Sequence, residues 1–199
     1  MWDRGYGFPD RIVTRLRYDN AGAMTTTSGS IAKQVWAMNS CFDPDVTGGG
    51  HQPLYFDQFS TIYDQYAVIK SKVIVRMSQD AAAAVPVVAG IVGDDDGSTS
   101  TTFATLMEKS HGTSRILGLG GGGHDQVLFK AKFDCRKHLT IDPFTSESYK
   151  TSIGSNPTEA YDVLQWGLSI DGTTTQTWHY IVEIHYTVLF TELKDVSQS

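Results

Sequence analysis

The segment Thr177–Leu193 reads TWHYIVEIHYTVLFTEL, and its apolar residues fall on every second position. Trp178, Tyr180, Val182, Ile184, Tyr186, Val188 and Phe190 share one face, while His179, Glu183 and His185 take the other. A period of two belongs to an extended strand with one buried face, and a helix does not satisfy it. So long a strand needs partners, and they set the fold class. Seven further stretches alternate in the same way or are rich in β-branched and aromatic residues. They are Arg11–Asp19, Ser30–Asn39, Ala67–Gln79, Val85–Gly93, Thr113–Leu119, Asp125–Cys135 and Tyr161–Ile170. The reading is all-β. One helical interruption is predicted over Phe56–Tyr66, from the spacing of Phe56, Phe59, Ile62, Tyr63 and Tyr66. A weaker one falls at Thr102–Lys109.

The connections narrow the class. Cys41–Tyr55 and Thr140–Ala160 are long, and the chain contains no Asn-Gly hairpin signal. A meander would use two-residue turns. Long, uneven connections fit a single eight-stranded jelly-roll sandwich, whose strands alternate between two packed sheets. The chain has 199 residues, with no linker, repeat or break in composition. One jelly-roll domain over residues 1–199 is expected. No apolar run approaches the roughly 18 residues that span a bilayer. The opening MWDRGYGFPDR lacks the apolar stretch of a signal peptide, so no membrane insertion is expected. Two cysteines, Cys41 and Cys135, make no disulfide framework. The composition reads as a protein made and assembled inside a cell with reduced thiols.

A formal net charge of −6 argues against nucleic acid until the charges are placed on strands. In the first strand Ile12, Leu16 and Tyr18 share a face opposite Arg11, Arg15 and Arg17. In the third, Ile69, Val73, Val75 and Met77 lie opposite Lys70, Lys72 and Arg76. In the sixth, Val127, Phe129, Ala131 and Phe133 form the core set, and Lys130 and Lys132 point away. The first, eighth, third and sixth strands form one sheet of a jelly roll. Half of the chain's 16 Lys and Arg residues therefore fall on one outer face. The seventh strand shows no such bias. There Leu164, Trp166, Leu168 and Ile170 alternate with a more polar row of Val163, Gln165, Gly167 and Ser169. The basic face is either a solvated, solubilising surface or one that meets phosphates without reading bases.

The stretch GGGHQPLYFDQFSTIYDQYAVIKSKVIVRM, Gly48–Met77, gives the order a family context. A Gly-rich loop precedes HQP, an aromatic pair and DQ, which lead a short helix. A Y-x-V-x-x-S-K strand follows at Tyr66, Val68, Ser71 and Lys72. TLMEKSH at Thr105–His111, FDCRKHLTI at Phe133–Ile141 and YIVEIHYTVLFTEL at Tyr180–Leu193 continue the series. Over most of its length the chain resembles the capsid proteins of small circular single-stranded DNA viruses, the circovirus-like group. The resemblance implies a jelly roll that self-assembles into a T=1 icosahedral shell of about sixty copies. It also implies sequence-independent contact with single-stranded DNA, a host receptor, and residence in the virion. Assembly would take place inside the host cell, the nucleus being one candidate site. The family's Arg-rich N-terminal arm has no counterpart. The chain opens MWDRGYGF with Arg4 as its only early base, so the arm was either removed or never present.

Catalytic and cofactor signals fail on context, and neither an enzyme nor a cofactor is expected. GLGGGG at Gly118–Gly123 contains Gly-x-Gly-x-x-Gly but precedes a strand, where the dinucleotide fingerprint needs a helix. GLSID at Gly167–Asp171 lacks the last Gly of a nucleophile elbow. His179 and His185 stand roughly 20 Å apart along a strand, which leaves Glu183 and His185 short of a metal-ligand set. GDDDGSTS at Gly93–Ser100 lacks the spacing of a calcium loop and reads as an acidic turn. The rival reading is a lectin-like jelly-roll binding module, with Trp2, Trp36, Tyr55 and Phe59 as an aromatic platform.

Overall fold

The computed structural model describes residues 7–27, 29–94, 102–119 and 126–195. The strands within them are β1 (Arg11–Thr25), β2 (Ala32–Ala37), β3 (Tyr63–Gln79), β4 (Val87–Asp94), β5 (Gly112–Leu117), β6 (Val127–Asp134), β7 (Thr151–Ser152), β8 (Asp162–Ser169) and β9 (Thr177–Leu193). Three short helices interrupt them: α1 (Phe56–Ser60), α2 (Phe103–Glu108) and α3 (Cys135–His138).

One sheet has the order β1-β9-β3-β6, with β7 added to β3, and the other has the order β2-β8-β4-β5. All pairings are antiparallel. Successive strands cross from one sheet to the other, except that β4 and β5 pair as neighbours and the two-residue β7 follows β6 within the larger sheet. This is the jelly-roll arrangement. β9 is the spine of the larger sheet, pairing along its length with β1 on one side and β3 on the other. Its alternating aromatic and β-branched residues, Trp178 to Phe190, are buried between the sheets.

Between the sheets, size is matched by vacancy. A Cβ on Gly167 of β8 would stand 2.5 Å from the Trp178 ring, so only glycine lets the indole cross to the opposite sheet. Gln165, fully buried on the same face of β8, accepts a hydrogen bond from the Trp36 indole N–H at 2.9 Å. The row Val163, Gln165, Gly167 therefore points into the main core. The more apolar row, Leu164 and Trp166, points out and is buried a second time. With Val35, Val92 and Leu106 of α2 it forms a separate small cluster. Polarity alone misleads on this strand because both of its faces are covered.

The helix expected over Phe56–Tyr66 ends at Ser60, and from Tyr63 the chain is β3. Phe56, Phe59 and Tyr63 nonetheless gather around Phe190, at ring distances of 6.0, 4.7 and 6.0 Å. One turn of helix joined to a strand brings the rings to the same side, which imitates helical spacing. The strand wins because each residue from Tyr63 onward gains ladder bonds to β9, whereas a short isolated helix is marginal. A register shift between Val68 and Lys70 takes Ile69 out of the core set expected for it; Ser71, Val73, Val75 and Met77 fill the inward positions. β7 and α3 were not legible as elements, being two and four residues long.

Candidate nucleic-acid interface

The cross-strand register of the larger sheet sets its outer face. Arg17 of β1 is opposite His185 of β9, His185 is opposite Lys72 of β3, and Lys72 is opposite Lys132 of β6. Strands lie about 4.8 Å apart, so three cations and a histidine stand in one row roughly 14 Å long. The next row is Arg15, Thr187, Lys70 and Asp134. Like charges directly opposite each other work against a sheet by a few tenths to about 1 kcal/mol per pair. Lys72 beside Lys132 is such a pair, and neither has an acidic partner within ion-pair distance among the described residues.

These rows floor a shallow concavity of about 610 Å³. Of the eight bases placed on this face by strand parity, five line it: Arg15, Arg17, Lys70, Lys72 and Lys132. The other three do not. Arg11 sits at the far end of β1 opposite Thr191, Lys130 lies opposite Ile74, and Arg76 lies opposite Ile181. Three lining residues escaped the sequence reading: Lys137, His138 and His185. His185 was visible as an outward residue of β9 but was not counted as part of a basic row. Lys137 and His138 follow β6, where the one-turn helix α3 folds them back over the concavity. The signal for that turn is Asp134, whose carboxylate accepts from the Arg136 amide at 3.2 Å and caps α3.

Acids divide the face. Lys70 pairs with Asp134 at 3.0 Å, and this contact holds the Asp134 carboxyl below its ordinary range. Glu183, in the row after the concavity, accepts from Arg76, stands 3.6 Å from Arg17 and is also 3.6 Å from His185. The Arg76 hydrogen bond is the main reason its carboxyl is held low. Arg17 is shared with Asp19 at 2.7 Å. Beyond Glu183 the face becomes apolar, with Ile181 and Leu128 exposed on either side of Arg76.

Other proposed sites come apart. Trp36 is fully buried, Phe59 is stacked on Phe190, and Tyr55 is exposed. Trp2 lies outside the described residues, and the rest form no shared aromatic platform. His179 pairs with Asp80 at 3.5 Å, away from Glu183. Among the described residues no group of three or more His, Cys, Asp or Glu side chains converges as a metal would need. The turn at Gly93–Ser100 and the glycines at Gly120–Gly123 lie outside the described residues beyond Asp94. No helix among the described residues is long and apolar enough to cross a membrane.

The architecture defines a class: an antiparallel jelly roll of two packed sheets, with the outer face of one sheet rich in basic residues. No family model and no curated protein matches the chain in sequence. Solved structures do match it in fold. Mud crab tombus-like virus aligns with a TM-score of 0.54 at 8% identity, over 98% of this chain and 88% of that one. Desmodium yellow mottle tymovirus aligns at 0.51 and 12%, over 100% and 97%. The 60-mer BFDV capsid protein aligns at 0.51 and 10%, over 96% and 100%. At these identities the likeness is one of fold.

Proposed function

We propose that this chain is a viral coat protein that self-assembles into a small icosahedral shell around single-stranded DNA, in the manner of the circovirus-like group. The row Arg17, His185, Lys72 and Lys132 carries the reading. A chain of net charge −6 sets cations side by side where they oppose the sheet that holds them. A polyanion on that face would relieve the opposition, and phosphate contacts need no base recognition. The outer face of β1-β9-β3-β6 is therefore the interior of the particle. The remaining surface, with the excess of acids, faces outward or between copies. About sixty copies would close a T=1 shell by point-group symmetry. Its place is the virion, after assembly in the host cell, and its role is structural rather than catalytic.

The test is direct. The purified chain is sized by chromatography and electron microscopy across pH and salt, and the absorbance ratio of intact particles reports nucleic acid. Closed shells carrying nucleic acid are expected. Monomers or dimers under all conditions sink the assembly reading, and a particle structure with Lys72 and Lys132 outside sinks the orientation.

A further inference from the structure

We propose that Glu183 restricts nucleic acid to one half of the basic face, by engaging Arg76 beside an Arg17 already held by Asp19, and leaving the concavity as the phosphate-binding half. This rests on the reading above and divides its site. Glu183 sits at the centre of the sheet, on the spine strand, with Asp19 opposite it on β1 and Ile74 opposite it on β3. Its side chain is largely shielded, and three basic groups from three strands point at it: Arg17 of β1, Arg76 of β3 and His185 of β9. A phosphate that approached Arg76 would have to displace this carboxylate. It would also come to rest beside exposed Ile181 and Leu128, in a hollow of about 100 Å³ shared with Ser78, Gln126 and His179, against about 610 Å³ for the concavity.

On the other side of Glu183 the situation reverses. Arg15, Lys72, Lys132 and Lys137 line the concavity without an acidic partner within ion-pair distance among the described residues. Asp134 closes the far edge through Lys70. The two acids thus bracket an open run of cations. Eight bases share the sheet face, but they do not act alike: Arg76 is already spent on Glu183, Arg17 is held by Asp19 at 2.7 Å with Glu183 at 3.6 Å, and the other bases of the concavity meet phosphate.

The measurement is the salt dependence of binding of a dT oligonucleotide to the full-length chain, read by fluorescence anisotropy. For single strands the slope of log K against log salt changes by about 0.7 per phosphate neutralised. Lys72→Gln with Lys132→Gln should flatten the slope by about 1.4, for two lost contacts. Glu183→Gln should steepen it by about 0.7, as Arg76 becomes available while Asp19 still holds Arg17. Asp80→Asn, which removes a charge from the His179 end of the sheet, should change it little. The double variant Glu183→Gln, Arg76→Gln should return close to the wild-type slope, which ties the gain to that arginine. The double variant also guards against a misleading result from the single one, because it removes both members of the ion pair. The proposal is overturned if Glu183→Gln gains no more than Asp80→Asn, or if the double variant keeps the gain. Absence of any salt-dependent binding by the wild type would instead sink the underlying nucleic-acid reading.

Discussion

The two sheets are built from similar residues and end with opposite outer surfaces. Outside the β2-β8-β4-β5 sheet, Leu164, Trp166, Val35 and Val92 are covered by α2, with Leu106 inserted and the Phe103 ring edge-on to Trp166 at 5.8 Å. Lys109, just past α2, anchors the cover by an ion pair of 2.6 Å to Asp94. Outside the β1-β9-β3-β6 sheet only the one-turn α3 reaches over the concavity, and the row across it is Arg17, His185, Lys72 and Lys132. One face is closed by the protein's own chain and is apolar. The other is left open and holds unpartnered charge. An open face that is also unfavourable to its own sheet is a better pointer to a ligand than a count of basic residues.

The comparison can be broken hardest at its two buried tryptophans. Trp178, which crosses the space between the sheets, should cost about 3–5 kcal/mol when changed to Ala. Trp166, held only under α2, should cost less, because the cover can settle into the space. Urea unfolding of both variants decides it; an equal or larger loss at Trp166 would mean that the two clusters behave as one core.

Asp162 gives the next largest effect. It is 5% exposed on β8 and lies opposite Asp94 on β4. Burial first, and the neighbouring Asp94 second, push its carboxyl up to about 6. In an unfolded chain it titrates near 3.9. The folded state thus holds this proton more tightly. The contribution to stability is complete below about pH 4 and is lost as pH rises through about 6. Asp162→Asn should therefore gain up to about 3 kcal/mol at pH 7 and little at pH 4. Thermal unfolding at the two pH values checks it, and a gain that is the same at both would contradict the account.

Gly167→Ala tests the fit between the sheets. Its added methyl meets the Trp178 ring, and overpacking of this kind costs about 1–3 kcal/mol. The matching change in the smaller cluster is Gly90→Ala, where the methyl would meet the Thr113 carbonyl at 2.5 Å and Trp166 at 2.9 Å. Both should lower the urea midpoint. The smallest expected stability effect is at the open face. Changing Lys70, Lys72, Lys130 and Lys132 together to Gln should leave the fold within about 1 kcal/mol of the wild type, because surface substitutions rarely do more. The same variant should lose packaged nucleic acid from intact particles. A large stability loss without a change in packaging would assign those lysines to the fold alone.

What the sequence by itself determined about this protein follows its strict alternation. The eight main strands, the inward set of β9, and the common face of Arg11, Arg15, Arg17, Lys70, Lys72, Arg76, Lys130 and Lys132 could be read residue by residue. On a strand with one wet face, parity and polarity carry the same information. β8 was not readable in that way, because covering both of its faces removes the polarity difference that assigns a side. Nor was the end of α1, where a helical turn and a strand together placed Phe56, Phe59 and Tyr63 around Phe190. Cross-strand register was beyond the sequence altogether. It alone put His185 between Arg17 and Lys72 and set Glu183 against Arg17 and Arg76. Which charges stand side by side depends on how distant strands align, and each pairing is fixed by the packing of the whole sheet rather than by any one segment.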